Sequence, residues 1–155
     1  MESSSRFSSK IEFLNDFINL EKLGSGTYGT VYKVQYKPLK HCNNESQFKD
    51  GEVFAMKKIK LDLANDGVPA TALREIVIVK KMKHQNIIEI KNVQFSEKSL
   101  FIFFEFMSYD LRKFIDVSGS NMSTEKIKLI LFQIILGTCY LHSKKILHRD
   151  LKPQN

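Results

Sequence analysis

The sequence predicts an α+β chain, rich in strands first and in helices afterwards. Three observations carry this. Strand-like runs stand at 17–23, 30–34, 53–59, 87–95 and 100–107. One helical period interrupts them at 71–82, where Ala72, Ile76, Val79 and Met82 recur on one face. Beyond 107–110 only helical signals remain, which divides the chain into two lobes, 17–107 and 108–155.

The elements follow in order. Residues 1–16 are a flexible lead-in that begins Ser-rich. Two β runs flank Gly24-Ser25-Gly26-Thr27-Tyr28-Gly29 and read as a hairpin. Residues 37–51 are polar and too long for an ordinary hairpin connection, so they read as an exposed insertion loop. Gly67-Val68-Pro69 closes the loop ahead of the helix at 71–82. The run Leu100-Phe101-Ile102-Phe103-Phe104 predicts a strand buried on both faces. A short helix at 110–117 is interrupted by Gly119, Ser120 and Asn121. Ser123 can cap a longer helix, with Glu125 in its first turn and Lys144 and Lys145 at its end. Ile127, Leu129, Ile130, Leu131, Ile134, Ile135, Leu136 and Leu141 surround that helix almost completely. Such a helix belongs in a core, and the chain carries little to bury it. A large exposed apolar patch and a tendency to aggregate are therefore expected.

Composition narrows the function classes. The apolar fraction of 43% and charged fraction of 26% are ordinary for a globular domain. A net charge of +7 admits nucleic acid, membrane or anionic substrates. No long Lys/Arg block and no basic-aromatic interleaving occurs, so a solvated basic surface is expected, with no nucleic-acid or membrane partner. Cys42 and Cys139 form no C-x-x-C, which fits a reduced, intracellular protein. The apolar run 129–141 is interrupted by Gln133 and too short to span a bilayer.

The chemistry-bearing residues come in four groups. Gly24, Gly26 and Gly29, followed by Val31, either close a tight hairpin or let backbone N–H groups approach phosphate. The strand after them disfavours a Rossmann site, and no Gly-Lys-Ser/Thr marks a Walker A loop. Lys57 alternates in phase with Val53 and Ala55, which turns it inward under the glycine turn, whereas Lys58 faces solvent. An inward ammonium needs an anion. Glu75 sits on the apolar stripe of its helix and either pairs with that lysine or is an ordinary half-exposed residue. Finally, His148-Arg149-Asp150-Leu151-Lys152-Pro153-Gln154-Asn155 sets an acid, a base and an amide close together. They can accept a proton, hold an anion and ligate a metal.

This last stretch fits the form H-R-D-L-x-x-x-N. With the other three groups in order before it, the chain resembles a eukaryotic protein kinase. Pro69-Ala70-Thr71-Ala72-Leu73-Arg74-Glu75 resembles the P-S-T-A-I-R-E helix of cyclin-dependent kinases, differing at Ala70 and Leu73. Phe104-Glu105-Phe106-Met107 with Asp110-Leu111 is similar to that group's hinge. The resemblance covers residues 17–155 apart from the insertion.

The resemblance implies a five-stranded antiparallel N-lobe sheet with one helix, then the first helices of a C-lobe. It implies an ATP- and Mg²⁺-dependent Ser/Thr kinase in the nucleus or cytoplasm. Leu23, Val31 and Ala55 would enclose adenine, Phe104 would be the gatekeeper, and Glu105 and Met107 would meet the adenine edge. Asp110 would face the ribose, and Gln154 would lie at the nucleotide site. Lys57, oriented by Glu75, would hold the α- and β-phosphates beneath Gly24, Gly26 and Gly29. Asp150 would orient and deprotonate the substrate hydroxyl, Lys152 would steady the γ-phosphate, and Asn155 would bind Mg²⁺. Residues 69–82 would dock a cyclin-type activator, and Thr27 and Tyr28 match inhibitory phosphorylation positions. The sequence contains no Asp-Phe-Gly and no Ala-Pro-Glu. A piece of a longer kinase, inactive alone, is the expectation that follows; a truncated pseudokinase that binds cyclin or nucleotide is the alternative.

Overall fold

The computed structural model describes residues 14–26, 29–38, 48–61, 76, 79–96, 99–119 and 122–155. The lead-in before Leu14, Thr27, Tyr28, Glu75 and most of the 69–82 docking segment lie outside the described residues.

Five strands form one antiparallel sheet: β1 (Phe17–Gly26), β2 (Gly29–Tyr36), β3 (Val53–Lys60), β4 (Ile90–Phe95) and β5 (Ser99–Glu105). Their spatial order is β1-β2-β3-β5-β4. Two helices follow, α1 (Leu111–Ser118) and α2 (Thr124–Ser143). β4 starts three residues later than expected because Ile87 donates its N–H to His84 O at 3.0 Å and closes a turn there. β5 stops at Glu105, the partner of Phe54.

Residues paired across strands share a face, and alternation sends their neighbours to the other. One face carries Val34, Phe54, Met56, Phe101 and Phe103, joined by Phe17, Tyr36 and Phe48. Five of the chain's twelve phenylalanines therefore build one aromatic core. Its rings pack closely, Phe17 against Phe103 at 4.7 Å and Phe48 against Phe54 at 4.6 Å. The other face carries Ile90, Leu100 and Ile102, against which Ile59, Val93, Phe104 and the helical Ile76 and Val79 pack. β5 is buried on both faces, as its apolar run predicts.

The 37–51 stretch departs from the expected exposed loop at its far end. Phe48 is buried in the aromatic core. Tyr36 N–H donates to Glu52 O and Gly51 N–H to Tyr36 O, both at 2.8 Å. These bonds extend the β2–β3 ladder across the neck of the insertion.

The chain divides into two compact units. The sheet unit takes Glu89–Phe106 together with the chain up to Lys81. The helical unit combines Met107–Asn155 with Met82–Ile88, although the latter falls inside the span expected for the first lobe. In the helical unit, Asp110 and Ser123 cap α1 and α2 by accepting from Lys113 N and Lys126 N. Residues 83–86 lie along α2. Asn86 Nδ2 donates to Gln133 Oε1 at 3.2 Å, His84 stacks on Tyr140, and Lys83 N–H donates to Tyr140 Oη at 3.3 Å. Gly137 permits this approach, since a Cβ there would stand 2.9 Å from Asn86 O. Only Gly137 and Leu141 of α2 are buried, while Ile127, Leu129, Leu131, Phe132, Ile134 and Ile135 are exposed. The expected apolar patch is present on this helix.

Gly137→Ala separates two opposing effects. In an unobstructed helix the change gains about 0.5–1 kcal/mol. Here the added methyl meets backbone, and overpacking of that kind costs about 1–3 kcal/mol. Chemical denaturation of the variant is expected to show net destabilisation; a stabilised protein would contradict the close approach of Asn86.

Candidate active site

The sheet brings the predicted nucleotide-side residues onto one face. Gly24, Val31, Lys57, Ile102 and Val93 form one cross-strand row. Lys33, Ala55, Phe104 and Ile90 form the next row on the same face. Val31, Ala55, Lys57 and Phe104 are thereby gathered opposite the aromatic core. Lys58 points the other way, its ammonium 5.7 Å from the Phe101 ring centre, so it is half-buried and not fully solvated as alternation alone indicated. Leu23 is exposed and lies at a register shift between Lys22 and Gly24. Glu75, the expected partner of Lys57, is outside the described residues; its neighbour Ile76 packs on the Lys57 face.

The three glycines serve different needs. Gly26 pairs with Gly29 at the end of the β1–β2 ladder. Gly29 has φ 130°, and a Cβ there would overlap the Lys58 carbonyl oxygen. The fold itself requires this glycine. At Gly24 and Gly26 an added Cβ meets nothing within 4 Å among the described residues. Gly29 is thus needed by the hairpin, while Gly24 and Gly26 have open space where a Cβ would stand.

At the end of β5, Glu105 Oε1 accepts from Glu89 N–H at 3.3 Å. The Phe106 ring lies under Lys33 Nζ, 4.6 Å from its centre. Met107 is exposed. Asp110 Oδ1 accepts from Lys113 N–H at 2.7 Å. Asp110 thereby caps α1, and an Asp just before a helical run is the sequence signal for such a cap.

The loop from His148 to Asn155 is closely tied within itself. Arg112 N–H donates to Pro153 O at 2.9 Å, anchoring the loop on α1. That bond uses backbone alone, so no side-chain pattern announces it. Arg149 adopts φ 65°, a left-handed conformation that costs a non-glycine residue about 1–2 kcal/mol. Across it, Asp150 N–H donates to His148 Nδ1 at 3.3 Å, and further on Asn155 N–H donates to Lys152 O at 2.9 Å. Lys152 Nζ lies 2.9 Å from Asp150 Oδ2. Asn155 Nδ2 donates to that same oxygen at 2.7 Å and to Asp150 O at 2.9 Å. Two acceptors face this end of the amide, so it must be the nitrogen, and Oδ1 is left as the donor to a cation. That fits an Mg²⁺ ligand, since Mg²⁺ prefers oxygen. Gln154 is exposed in the turn. The Lys152 hydrogen bond, then that of Asn155, holds the Asp150 carboxyl below the usual aspartate range.

Residues 17–155 match the family model of the protein kinase domain. The chain belongs to the protein kinase family. The kinase's sheet and two helices are those of an N-lobe and the start of a C-lobe. By family it is a phosphoryl transferase acting on protein, and ATP with Mg²⁺ is the family's general cofactor pair. Among the described residues of this kinase no helix is long and apolar enough to cross a membrane.

Two predictions concern these halves. Gly29→Ala is expected to lower unfolding stability by about 1–3 kcal/mol, the cost of a forced backbone conformation, while Gly24→Ala leaves the denaturation midpoint in place. Equal effects of the two would refute the division of roles. Separately, the Asp150 carboxyl is expected to stay ionised below the ordinary aspartate pKa, because its charged form is the one that is paired. In a carbon-detected NMR titration, Lys152→Met should move its midpoint to higher pH. A midpoint that does not move would remove the ion pair as the cause.

Proposed function

We propose that this chain is the nucleotide-binding and hydroxyl-orienting part of a cyclin-dependent type protein Ser/Thr kinase. The observation that carries the reading is the convergence of Lys152 and Asn155 on one oxygen of Asp150. That arrangement suits a carboxylate that accepts a hydrogen bond from a Ser or Thr hydroxyl. In the reaction the hydroxyl oxygen bonds to the γ-phosphorus, the bond to the β–γ bridging oxygen breaks, ADP leaves, and the hydroxyl proton passes to Asp150. Lys152 neutralises charge beside Asp150 and steadies the γ-phosphate. Asn155 Oδ1 would help hold Mg²⁺, which when bound would neutralise charge on the phosphates.

On the sheet, Lys57 holds the α- and β-phosphates, with Glu75 as its partner once an activator docks on 69–82. Val31 and Ala55 share the Lys57 face, which supports their place against adenine together with Leu23. Phe104 acts as gatekeeper, Glu105 and Met107 present backbone to the base, and Asp110 and Gln154 border the nucleotide. Thr27 and Tyr28 are the regulatory phosphorylation positions. The cyclin-dependent assignment rests on the wording of 69–75 and of the hinge. A second reading is a cyclin- or nucleotide-binding module without phosphoryl transfer.

Nucleotide binding tests the shared part of both readings. Calorimetric titration with Mg-ATP should show about tenfold or greater loss of affinity in Lys57→Met, the loss of one charge-assisted contact. Unchanged affinity would contradict the phosphate role. The same preparation should retain a purified cyclin, and failure to do so would end the cyclin-dependent assignment.

A further inference from the structure

The hinge end of β5 is held by a charged cluster that the kinase assignment does not require. β4 pairs Ile90 with Phe104 and then Asn92 with Phe103, which leaves Lys91 as the extra residue of a β-bulge. A bulge re-aims side chains, and here Lys91 Nζ reaches Glu89 Oε2 at 2.5 Å. Glu89 precedes the first ladder pair of β4, and its backbone N–H is taken instead by the Glu105 carboxylate at 3.3 Å. Glu89 is thus gripped twice, by Lys91 at its side chain and by Glu105 at its backbone. Glu105 is the last residue of β5, next to Phe106, whose ring Lys33 covers.

Charge makes Lys91 the residue on which this arrangement turns. Hydrogen bonding to Glu89 and the charges of Glu89, Glu105 and Glu52 together favour its ammonium form. Removing the ammonium leaves these carboxylates to repel one another without compensation. The pair is partly exposed, 30% for Lys91 and 45% for Glu89, so little global stability is at stake. What the cluster fixes is local: the position of Glu105.

We propose that Lys91, acting through Glu89 and Glu105, is a positioning residue for the base of a bound adenine nucleotide. This rests on the reading of Glu105 as a residue whose backbone meets the base. Lys91 Nζ is engaged by Glu89 Oε2, so its proposed action on the base is indirect. Its effect should therefore appear in base recognition and be absent from recognition of phosphate alone.

The test uses the full chain as wild type, Lys91→Met and Lys91→Arg. Amide hydrogen exchange without ligand should be about fivefold faster at residues 105–107 in Lys91→Met, the scale of one partly exposed ion pair. Exchange in β2 and β3 should be unchanged. Affinity for Mg-ATP should fall by a similar factor, affinity for Mg-tripolyphosphate should hold, and Lys91→Arg should restore both readouts. Unaltered exchange at 105–107 overturns the proposal, as does an equal loss for ATP and tripolyphosphate, which would mark Lys91 as merely structural. Wild-type protein that binds neither ligand overturns the nucleotide reading and base positioning with it, and the exchange result then separately confirms or refutes the clamp on Glu105.

Discussion

The register of β3 is the constraint on which the rest of the sheet unit depends. Lys57 and Lys58 are adjacent and chemically identical, so only register decides which of them joins Val31 and Ala55. A slip of one residue would exchange their faces and place Phe54 and Met56 opposite their core. Phe54 is fully buried and Met56 nearly so, and both pack on the aromatic face between β2 and β5. Desolvating two large side chains is worth about 1.5–3 kcal/mol each. That far exceeds any preference between two lysines. The aromatic core, remote from the Lys57 face, is thus what aims Lys57.

That coupling also explains why so much of the sheet is legible in the sequence. Alternation in 53–59 and the double-sided run at 100–104 depend only on neighbours a few residues away. Caps are equally local, and Ser123 and Asp110 stand where α2 and α1 begin. Where the sequence is silent, the cause is contact at long range. The segment 82–88 belongs with the helical unit because Gly137, some fifty residues on, leaves space for Asn86. Phe48 ends a polar stretch and still enters the core, because its partners Phe17 and Phe54 lie on different strands. The bulge at Lys91 has no composition signal, since it arises from a mismatch between two strands.

The candidate site divides along the same line. Residue types at Gly24, Lys57, Asp150 and Asn155 are legible because the chemistry restricts them to few alternatives. Their supports are less so. Gly29 and Gly24 look equivalent as letters, yet only Gly29 is demanded by its own backbone. The anchor of Pro153 on Arg112 and the left-handed Arg149 involve main chain alone. Side-chain identity cannot encode them except through the geometry it permits.

The loop around Asp150 shows what such supports contribute chemically. A carboxylate that accepts from both an ammonium and an amide is stabilised as an anion and is correspondingly a weaker base. For a reaction that needed early proton removal this would be a disadvantage. Phosphoryl transfer through a loose transition state places little demand on the nucleophile's basicity and a large demand on alignment. On the proposed reading, Lys152 and Asn155 therefore trade basicity for orientation. They hold one oxygen of Asp150 in place, keep the group ionised, and turn the amide so that Asn155 Oδ1 is directed away from the carboxylate, toward a cation. On that reading, a single set of contacts spanning six residues favours the charged form of Asp150, fixes its direction and leaves Asn155 Oδ1 free for a cation.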